Sequence, residues 1–394
     1  MAMLKQIVAV TAINLKSIPR RFWLSLSTVV AVALVVMVLL SFLAMSAGFR
    51  RTLASSGAAD VAIVLRAGAR AELNSVIARD QVRLLEDAPG VARDAQGKPL
   101  ASAELYLVVD GIKKTTGTKA NLPLRGIGES GAAIRKGIRL TEGRMFAPGS
   151  NEVVVGKSLL REFQGFELGR TVKFGTALWT VVGVFEADGS VFESEIWADL
   201  PVVQSLFNRP NTFQILRARL SGPDGLAAMK AFNDGDPRLK LDVKSEQDYF
   251  SEQSSQTSDL IQKLGWPLAI AMAFGAMAGA LNTMYSSVAS RSVEIATLRA
   301  IGFGGFPAFV GTLVESLLLA GIGGVIGAVA TWLIFDGFSA STLGASFTQV
   351  VFSFRLTPAL IGQGVALALI VGLIGGLLPA IRAARMPIVQ GLQG

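Results

Sequence analysis

The sequence predicts an α-helical membrane protein with four transmembrane helices, one before and three after a large α+β extracytoplasmic domain. Its composition supports this class: 51% of the 394 residues are hydrophobic and only 17% are charged, whereas charged residues make up about 25% of a soluble domain. Four nearly uncharged tracts are long enough to cross a bilayer, which takes about 20 apolar residues. The long segment between the first and second tracts is large enough to fold as a domain of its own.

The predicted segments follow one another along the chain. They are an N-terminal segment at 1–21, apolar spans at 22–49, 264–290, 306–335 and 356–381, an external domain at 50–263, a charged connection at 291–305, a short loop at 336–355 and a tail at 382–394.

The external domain shows the signals of short strands and helices. "DVAIVL" at 60–65 predicts a strand, and "SVIARDQVRLLEDAPGV" at 75–91 predicts a helix that is stopped by Pro-Gly. Short apolar runs between glycines, "LYLVV", "EVVVG", "TVKFG" and "WTVVGVF", predict the strands of a sheet. The polar stretch 244–263 predicts a helical stalk that leads back to the membrane.

Basic residues near the spans indicate the orientation. The N-terminal segment has four lysines and arginines and no acid, and the 291–299 connection and the tail have two arginines each. Positive charge is enriched on the cytoplasmic side of membrane proteins. We therefore expect both termini and the 291–305 connection in the cytoplasm, with the large domain on the opposite side of the membrane.

The composition excludes several kinds of chemistry. With no cysteine and no histidine, the chain can form no disulfide, thiol nucleophile, Cys/His zinc site or histidine general base. The net charge of +8 is not carried by a basic run interleaved with aromatics, so we expect no nucleic-acid partner. We expect no catalytic residues, no metal site and no enzyme activity in this chain.

Two glycine motifs resemble nucleotide-binding loops. "VVVGKSLL" at 153–160 lacks the earlier glycine of a phosphate-binding loop, since position 151 is asparagine. "RGIGESG" at 125–131 has the spacing of a dinucleotide motif, but no clear strand leads into it. We interpret the first as a strand-to-helix turn and the second as a glycine-rich turn.

Paired acids occur in "VFESEIWADL" at 191–200. On a strand, Glu193 and Glu195 would share a face and, with Asp199 nearby, could form an acid/base pair or a cation site. Carboxylates are common on solvated surfaces. The sequence therefore favours an exposed strand edge over a site.

Glu315 is an acid inside the third apolar tract. It lies nine residues from the start of that tract, about 14 Å at a rise of 1.5 Å per residue. An ionisable group at such depth is expensive and suggests a function. The alternative is a protonated or hydrogen-bonded glutamate that only holds helices together.

Small residues recur in the last three tracts. They form the runs "GAMAGA" at 275–280, "GIGGVIGAVA" at 321–330 and "GLIGGLLPA" at 372–380. Small residues let helix backbones approach closely in lipid. We expect tight packing, either within one bundle or across a dimer.

The connection "RSVEIATLRAIGF" at 291–303 predicts a short amphipathic helix. Arg291 and Glu294 lie three residues apart on one face and could pair. Another face carries Ile295, Leu298 and either Ile301 or Gly302, which could dock in the groove of a partner. A simple cytoplasmic loop would explain the arginines but not this apolar face.

These stretches carry a resemblance to a known family. "RSVEIATLRAIGF", "VESLLLAGIGGVIGAV" and "LLPAIRAARMPIVQGL" resemble the permease domain of the MacB/FtsX superfamily, the type VII ABC transporters. "LTEGRMFAPGSNEVVVGKSLLREF" and "WTVVGVFEADG" are similar to the MacB-type periplasmic core domain, and "NLKSIPRRFWLSL" resembles the family's amphipathic helix on the cytoplasmic surface.

The resemblance implies a permease in the inner membrane of a bacterial cell, with its large domain in the periplasm, that works as a dimer with two ATPase subunits. Segment 291–305 would be the coupling helix, contacting the ATPase through Arg291, Glu294, Ile295, Leu298, Arg299 and Gly302. ATP and Mg²⁺ would be bound by a separate ATPase chain, and this chain would bind no cofactor. The other expected partners are a second permease copy, identical or related, membrane lipids and a periplasmic adaptor.

The resemblance leaves three functions open. Movement of the ATPase would be passed to the external domains by mechanotransmission, in the export of a substrate from the cell envelope. The alternatives are extraction of a lipoprotein or lipid from the inner membrane, and regulation of an envelope hydrolase without transport.

Overall fold

The computed structural model describes residues 2–344 and 348–389. It divides into a membrane unit, Met1–Ala47, Leu260–Phe338 and Arg355–Gly394, and an external unit, Gly48–Asp259 and Ser339–Phe354. Met1, part of the predicted loop 336–355 and the end of the predicted tail 382–394 lie outside the described residues.

The described residues form eleven α-helices and fourteen β-strands. The helices are α1 Ala2–Ser17, α2 Phe22–Ala54, α3 Arg79–Glu86, α4 Gly131–Ile134, α5 Lys157–Glu162, α6 Leu200–Leu206, α7 Gly225–Gly235, α8 Glu246–Ala289, α9 Ser292–Ala300, α10 Gly305–Phe335 and α11 Pro358–Arg385. The strands are β1 Val61–Arg66, β2 Ile77–Ala78, β3 Ala101–Ile112, β4 Lys119–Ile127, β5 Arg139–Gly143, β6 Glu152–Gly156, β7 Thr171–Phe174, β8 Ala177–Glu186, β9 Ile196–Asp199, β10 Thr212–Phe213, β11 Ile215–Arg219, β12 Leu241–Ser245, β13 Ser339–Leu343 and β14 Gln349–Ser353.

Four of the described helices are long and apolar enough to cross a membrane. They are α2, α8, α10 and α11, so the predicted order of one helix before and three after the external domain is confirmed. The predicted polar stalk at 244–263 and the second span form one continuous helix that begins at Glu246. The first span continues to Ala54, beyond its predicted end at residue 49.

Glycines bring helix backbones together within the membrane unit. A Cβ atom on Gly323 would lie 2.7 Å from the carbonyl oxygen of Val29, and one on Gly327 would lie 2.5 Å from that of Ala33. Both contacts join α10 to α2 at backbone distance, which only glycine permits. The small residues were expected to pack either within one bundle or across a dimer. For these two glycines, the structure shows packing within one bundle.

The external unit is built on a ten-stranded mixed sheet in the order β12-β1-β11-β3-β4-β9-β6-β8-β5, with β7 also paired to β8. The five strands predicted from the sequence are β1, β3, β6, β7 and β8, and all are confirmed. Two apolar cores lie in this unit, one around Val153, Trp179 and Ile196 and one around Val64, Leu85 and Leu216.

Both glycine motifs are turns in this sheet. β6 ends at Gly156 and α5 follows directly, as predicted; a Cβ on Gly156 would meet the Glu193 carbonyl oxygen at 2.1 Å. The expectation that no strand enters "RGIGESG" is wrong, because β4 extends to Ile127. The helix that follows has only four residues, so the interpretation as a glycine-rich turn stands.

The predicted loop 336–355 contains a strand pair of the external unit. β13 and β14 pair antiparallel, with Ser339 opposite Ser353. The Tyr106 hydroxyl lies 2.8 Å from that of Thr348, and the backbone N–H of Val351 donates to Ser194 Oγ at 2.9 Å. The connection between α10 and α11 is thus bonded to the sheet domain.

We predict that Gly327→Ala destabilises the protein. Its Cβ would be forced against the Ala33 carbonyl oxygen at 2.5 Å, and overpacking of this kind costs about 1–3 kcal/mol. Gly362→Ala is the matched control, since no heavy atom lies within 4 Å of its Cβ position and alanine is the better helix former. Thermal unfolding in detergent should show a lower midpoint for Gly327→Ala only; equal midpoints would contradict the packing.

Candidate functional site

The helix α9, between α8 and α10, is the segment predicted to contact a partner. It ends in a hydrogen-bonded cap: the N–H of Phe303 donates to the Leu298 carbonyl at 3.0 Å, and that of Gly302 to the Arg299 carbonyl at 3.1 Å. Gly302 has a φ of +101°, a left-handed conformation that favours glycine in this type of cap. Gly302 therefore ends the helix and turns the chain towards α10.

The inner face of α9 is covered by the membrane unit itself. Ile295 is buried and belongs to a small apolar cluster with Val288, Ala308 and Ala383. The predicted apolar face is therefore occupied at Ile295 by the chain's own helices. Leu298 is half-buried.

Arg291 precedes α9 and is buried, with 3% of its surface exposed. The predicted pairing with Glu294 is wrong: Arg291 Nη2 lies 2.8 Å from Glu315 Oε2. A guanidinium removed from water needs a carboxylate that is also removed from water. Glu294 is exposed, whereas Glu315 is 1% exposed.

Glu315 also accepts hydrogen bonds from two further parts of the chain. Arg21 Nη2 donates to its Oε1 at 3.2 Å, and Ser287 Oγ at 3.3 Å. Arg21 also donates to the hydroxyls of Ser287 and Ser17. We call Arg21, Ser287, Arg291 and Glu315 the acid cluster; it joins the α1–α2 junction, the end of α8, the start of α9 and the first third of α10.

Arg21 is the charged member of the acid cluster that the sequence analysis missed. The signal for it was present, because a buried acid in one span requires a cation and Arg21 lies at the start of another span. The contacts of Glu315 fit the second interpretation, a hydrogen-bonded glutamate that holds helices together.

The outer face of α9 is exposed. Val293 and Ile301 are 48% and 69% exposed, and Glu294, Thr297 and Ala300 are exposed between them. These five positions have the spacing of one helix face. We call them the outer face of α9.

The outer face borders a groove formed with α1. The groove is lined on the α1 side by Ile13, Lys16 and Arg20, and on the α9 side by Glu294 and Leu298, among others. Arg299 is half-buried and donates to the Met386 carbonyl. Of the predicted coupling residues, Glu294 and Leu298 thus line the groove, whereas Arg291 and Ile295 face inwards.

A second cluster of buried charges lies in the external unit. At its centre, Glu104 is 0% exposed and accepts hydrogen bonds from Arg125 at 3.0 Å, Arg135 at 2.6 Å and Arg217 at 2.5 Å. Three other glutamates complete it: Glu72, Glu195 and Glu246. We call these seven residues the charge network.

The acids of "VFESEIWADL" are buried, so the predicted solvated strand edge is wrong. Glu195 binds Arg125 through both carboxylate oxygens, at 2.8 and 2.6 Å. Glu193 lies in a 3₁₀ helix, Val191–Ser194, and not on a strand. Asp199 accepts from the Gly149 N–H at 2.8 Å. Arg125, 70 residues from Glu195, is a partner that local spacing does not reveal.

The charges of the network stabilise one another's ionised forms. Burial alone would raise the pKa of Glu104, but the positive charges of Arg135, Arg217 and Arg125 hold it well below the usual range. At Glu72, burial again acts to raise the pKa, but the positive charges of Arg125 and Arg217 outweigh it, so the pKa is lowered. Both glutamates are thus charged at neutral pH. Among the described residues, no group of three or more acidic side chains is arranged to hold a metal ion.

Comparison with known families finds matches along most of the chain. Residues 25–231 match the model of the MacB-like periplasmic core domain, and residues 267–388 match the model of the FtsX-like permease C-terminal region.

Two curated proteins illustrate the similarity. The macrolide export ATP-binding/permease protein MacB 1 of Aeromonas hydrophila subsp. hydrophila is 27% identical over 293 residues, covering 68% of this chain and 43% of that protein. MacB 1/2 of Paracoccus denitrificans is 26% identical over 298 residues, covering 70% and 42%. The chain spans less than half the length of these relatives. The crystal structure of the periplasmic region of MacB from Actinobacillus actinomycetemcomitans aligns with a TM-score of 0.37 and 15% identity, covering 49% of this chain and 92% of that one.

We predict that Glu104→Gln strongly destabilises the external unit at neutral pH. Three buried guanidinium groups would lose a shared anion, and breaking a buried ion pair costs about 3–5 kcal/mol. The pKa of Glu104 in the folded chain lies below its ordinary value of 4.5. The ionised carboxylate therefore stabilises the fold fully above pH 4.5, and this stabilisation is lost as the pH falls further. The loss of stability in Glu104→Gln is measured as the decrease in the free energy of opening of β3, by hydrogen exchange of the full chain.

Glu152→Gln is the matched control for that measurement. Glu152 also binds an arginine, Arg144, through both oxygens, but Arg144 is 58% exposed, so the loss should be much smaller. Equal effects of the two substitutions would contradict the central role of Glu104.

Proposed function

Because this chain belongs to the MacB/FtsX-type family of ABC-transporter permeases, we propose that it couples an ATPase to movement of its external domain in the export of a substrate from the cell envelope. The ATPase would be a separate subunit that binds the ATP and Mg²⁺. The coupling would be mechanotransmission, in which movement of the ATPase is passed through the spanning helices.

The outer face of α9 is the observation that carries the proposal. Val293 and Ile301 expose apolar surface at its two ends, and Glu294 lies beside Val293. An exposed helix face with apolar anchors and a charge to set orientation is suited to a groove on a partner. Direct contact with the ATPase is therefore proposed for Glu294 and for its neighbours on this face.

The acid cluster gives α9 a firm attachment to the bundle. A force on α9 acts on Arg291, whose partner Glu315 also binds Arg21. Separating a buried ion pair costs about 3–5 kcal/mol, so the joined segments should move together. Arg291 and Ile295 would thus serve coupling by holding α9 to the bundle, without touching the ATPase.

Orientation and location are part of the proposal. The arginines and lysines that flank the spans favour the cytoplasm for both termini and α9, and the periplasmic side of the inner membrane for the external unit. A periplasmic adaptor is a further proposed partner, in keeping with the export function.

A second copy of the permease is proposed to pack against α8. Gly275 and Gly279 are exposed, and no heavy atom of the chain lies within 4 Å of their Cβ positions. They form a Gly-x-x-x-Gly pattern, which lets two membrane helices approach closely. Gly323 and Gly327 of α10, in contrast, are covered by α2.

The coupling role predicts that the tagged full-length chain copurifies with an ABC ATPase from its native host. Glu294→Arg should lower the recovery of that ATPase and its stimulation, because it reverses the charge on the outer face of α9. Asp259→Arg reverses the charge at another exposed helical position and should leave both unchanged. If the unaltered chain recovers no ATPase, the proposed function is wrong; if Glu294→Arg recovers as much as the control, the contact surface is wrong.

The dimer predicts that Gly275→Leu with Gly279→Leu lowers the dimer fraction in lipid nanodiscs or detergent. The added side chains would keep two α8 helices apart. Gly362→Leu, at an open position of α11, controls for the added bulk. Single-molecule photobleaching measures the dimer fraction, and an unchanged fraction would place the interface elsewhere.

A further inference from the structure

The segment 187–195 of the external unit, between β8 and β9, is closed upon itself. The Glu193 carboxylate accepts hydrogen bonds from the N–H groups of Ala187 and Gly189, both at 2.8 Å. Asp188 and Gly189 turn the chain with φ values of +51° and +74°. Phe192 and Ser194 are almost completely buried. These contacts make the segment, which we call the transmission loop, a compact body.

The external unit is connected to the rest of the chain through three segments. The first is the end of α2 with the residues that follow it, the second is the start of α8, and the third is the β13–β14 pair between α10 and α11. Along the chain, movement of the spanning helices reaches the external unit through these segments.

The transmission loop contacts all three of them. The Val191 N–H donates to Ser56 Oγ, just beyond α2, at 2.7 Å. The Phe192 ring packs edge-on against Phe250, in the second turn of α8, with centroids 5.8 Å apart. Ser194 Oγ accepts from the Val351 N–H of β14 at 2.9 Å.

In the first contact, Ser56 is itself hydrogen-bonded to α2. Ser56 Oγ also donates to the carbonyl of Thr52 in the last turn of α2, at 2.7 Å. One hydroxyl therefore joins the end of the helix to the loop, and both of its bonds are short.

On its other side, the transmission loop is bonded to the middle of the sheet. Glu195 binds Arg125 of β4 through two hydrogen bonds of 2.8 and 2.6 Å, and β4 lies between β3 and β9. A bidentate carboxylate–guanidinium pair fixes distance and direction together. Displacement of the loop is thereby applied directly to β4.

We propose that residues 187–195 gather displacement from the three connecting segments and deliver it to the sheet through the Glu195–Arg125 pair. The inference rests on the proposed function only for the origin of that displacement. The proposal gives a role to the stretch "VFES" at 191–194, which takes no part in the proposed contact of α9 with the ATPase.

Other contacts also lead into the sheet: Tyr106 of β3 contacts Thr348 beside β14, and a route through Glu246 has to be separated from that of the transmission loop. Glu246, at the start of α8, accepts from Arg217 at 3.1 Å and from the Ala58 N–H at 3.2 Å. This route serves α2 and α8. The transmission loop contacts the β13–β14 pair as well.

The test introduces a displacement without ATP, in the full-length chain in lipid nanodiscs. Gly57→Ala acts as a wedge, because its Cβ would lie 2.6 Å from Cα of Gln247 and must push the α2 and α8 connections apart. Hydrogen exchange is measured over 119–127, the β4 strand, for the wedge alone and combined with Glu195→Gln or Glu246→Gln. Each substitution without the wedge provides its own baseline.

We expect the wedge to speed exchange in β4, and Glu195→Gln to abolish that increase while Glu246→Gln preserves it. Persistence of the increase in Glu195→Gln, or its absence with the wedge alone, overturns the proposal; loss of the increase only in Glu246→Gln assigns the role to the Arg217–Glu246 pair. If Glu195→Gln does not fold, Ser56→Ala replaces it: reduction of the increase supports the loop and full retention overturns it. Glu152 is another bidentate carboxylate of the same sheet, and Glu152→Gln should leave the increase of exchange that the wedge causes in β4 unchanged.

A second measurement separates this inference from the proposed function. In the complex that copurifies with the ATPase, ATP with vanadate should alter exchange at 56–58, 246–250, 349–353 and 119–127, and Glu195→Gln should abolish only the last change. A complex that shows no response to ATP in any of these segments contradicts the proposed function. The wedge experiment, which needs no ATPase, decides the role of the transmission loop in either case.

Discussion

A charge that is removed from water needs an opposite charge removed with it, because an unpaired buried ion costs several kcal/mol. Both units of the chain are organised by this requirement. In the membrane unit, the acid within α10 takes Arg291 and Arg21 as partners. In the external unit, four glutamates and three arginines share one buried network around Glu104.

The pairs do more to define position than to add stability. Replacing a buried ion pair by apolar side chains is often neutral or stabilising, whereas removing one partner is costly. Glu315 consequently holds segments that are remote in the chain, since Arg21 is 294 residues away from it. Such pairs fix the relative positions of segments that are distant in the chain, whereas apolar surfaces alone would tolerate sliding.

Close backbone contacts complement the ion pairs within the membrane unit. Lipid offers little hydrophobic driving force for helix association, so helices associate through shape and hydrogen bonds. Gly323 and Gly327 let α10 approach α2, and Ser316 Oγ donates to the Gly372 carbonyl of α11 at 2.6 Å. α10 is therefore held by two neighbours along its length and by the acid cluster near its beginning.

Local patterns in the sequence determined the four spanning helices, their order, the five predicted strands and the helix at 292–300, because length, hydropathy and short-range spacing decide these features. Glu315 could likewise be identified as an acid in need of a partner. Only the tertiary structure decided which partner it takes, that Arg291 turns away from Glu294, that Glu195 is buried against Arg125, and that the α10–α11 connection is hydrogen-bonded to the external unit. Each of these depends on contacts between residues far apart in the chain. The free energy of burying a charge is decided by what surrounds it in space, and local spacing carries no record of those surroundings.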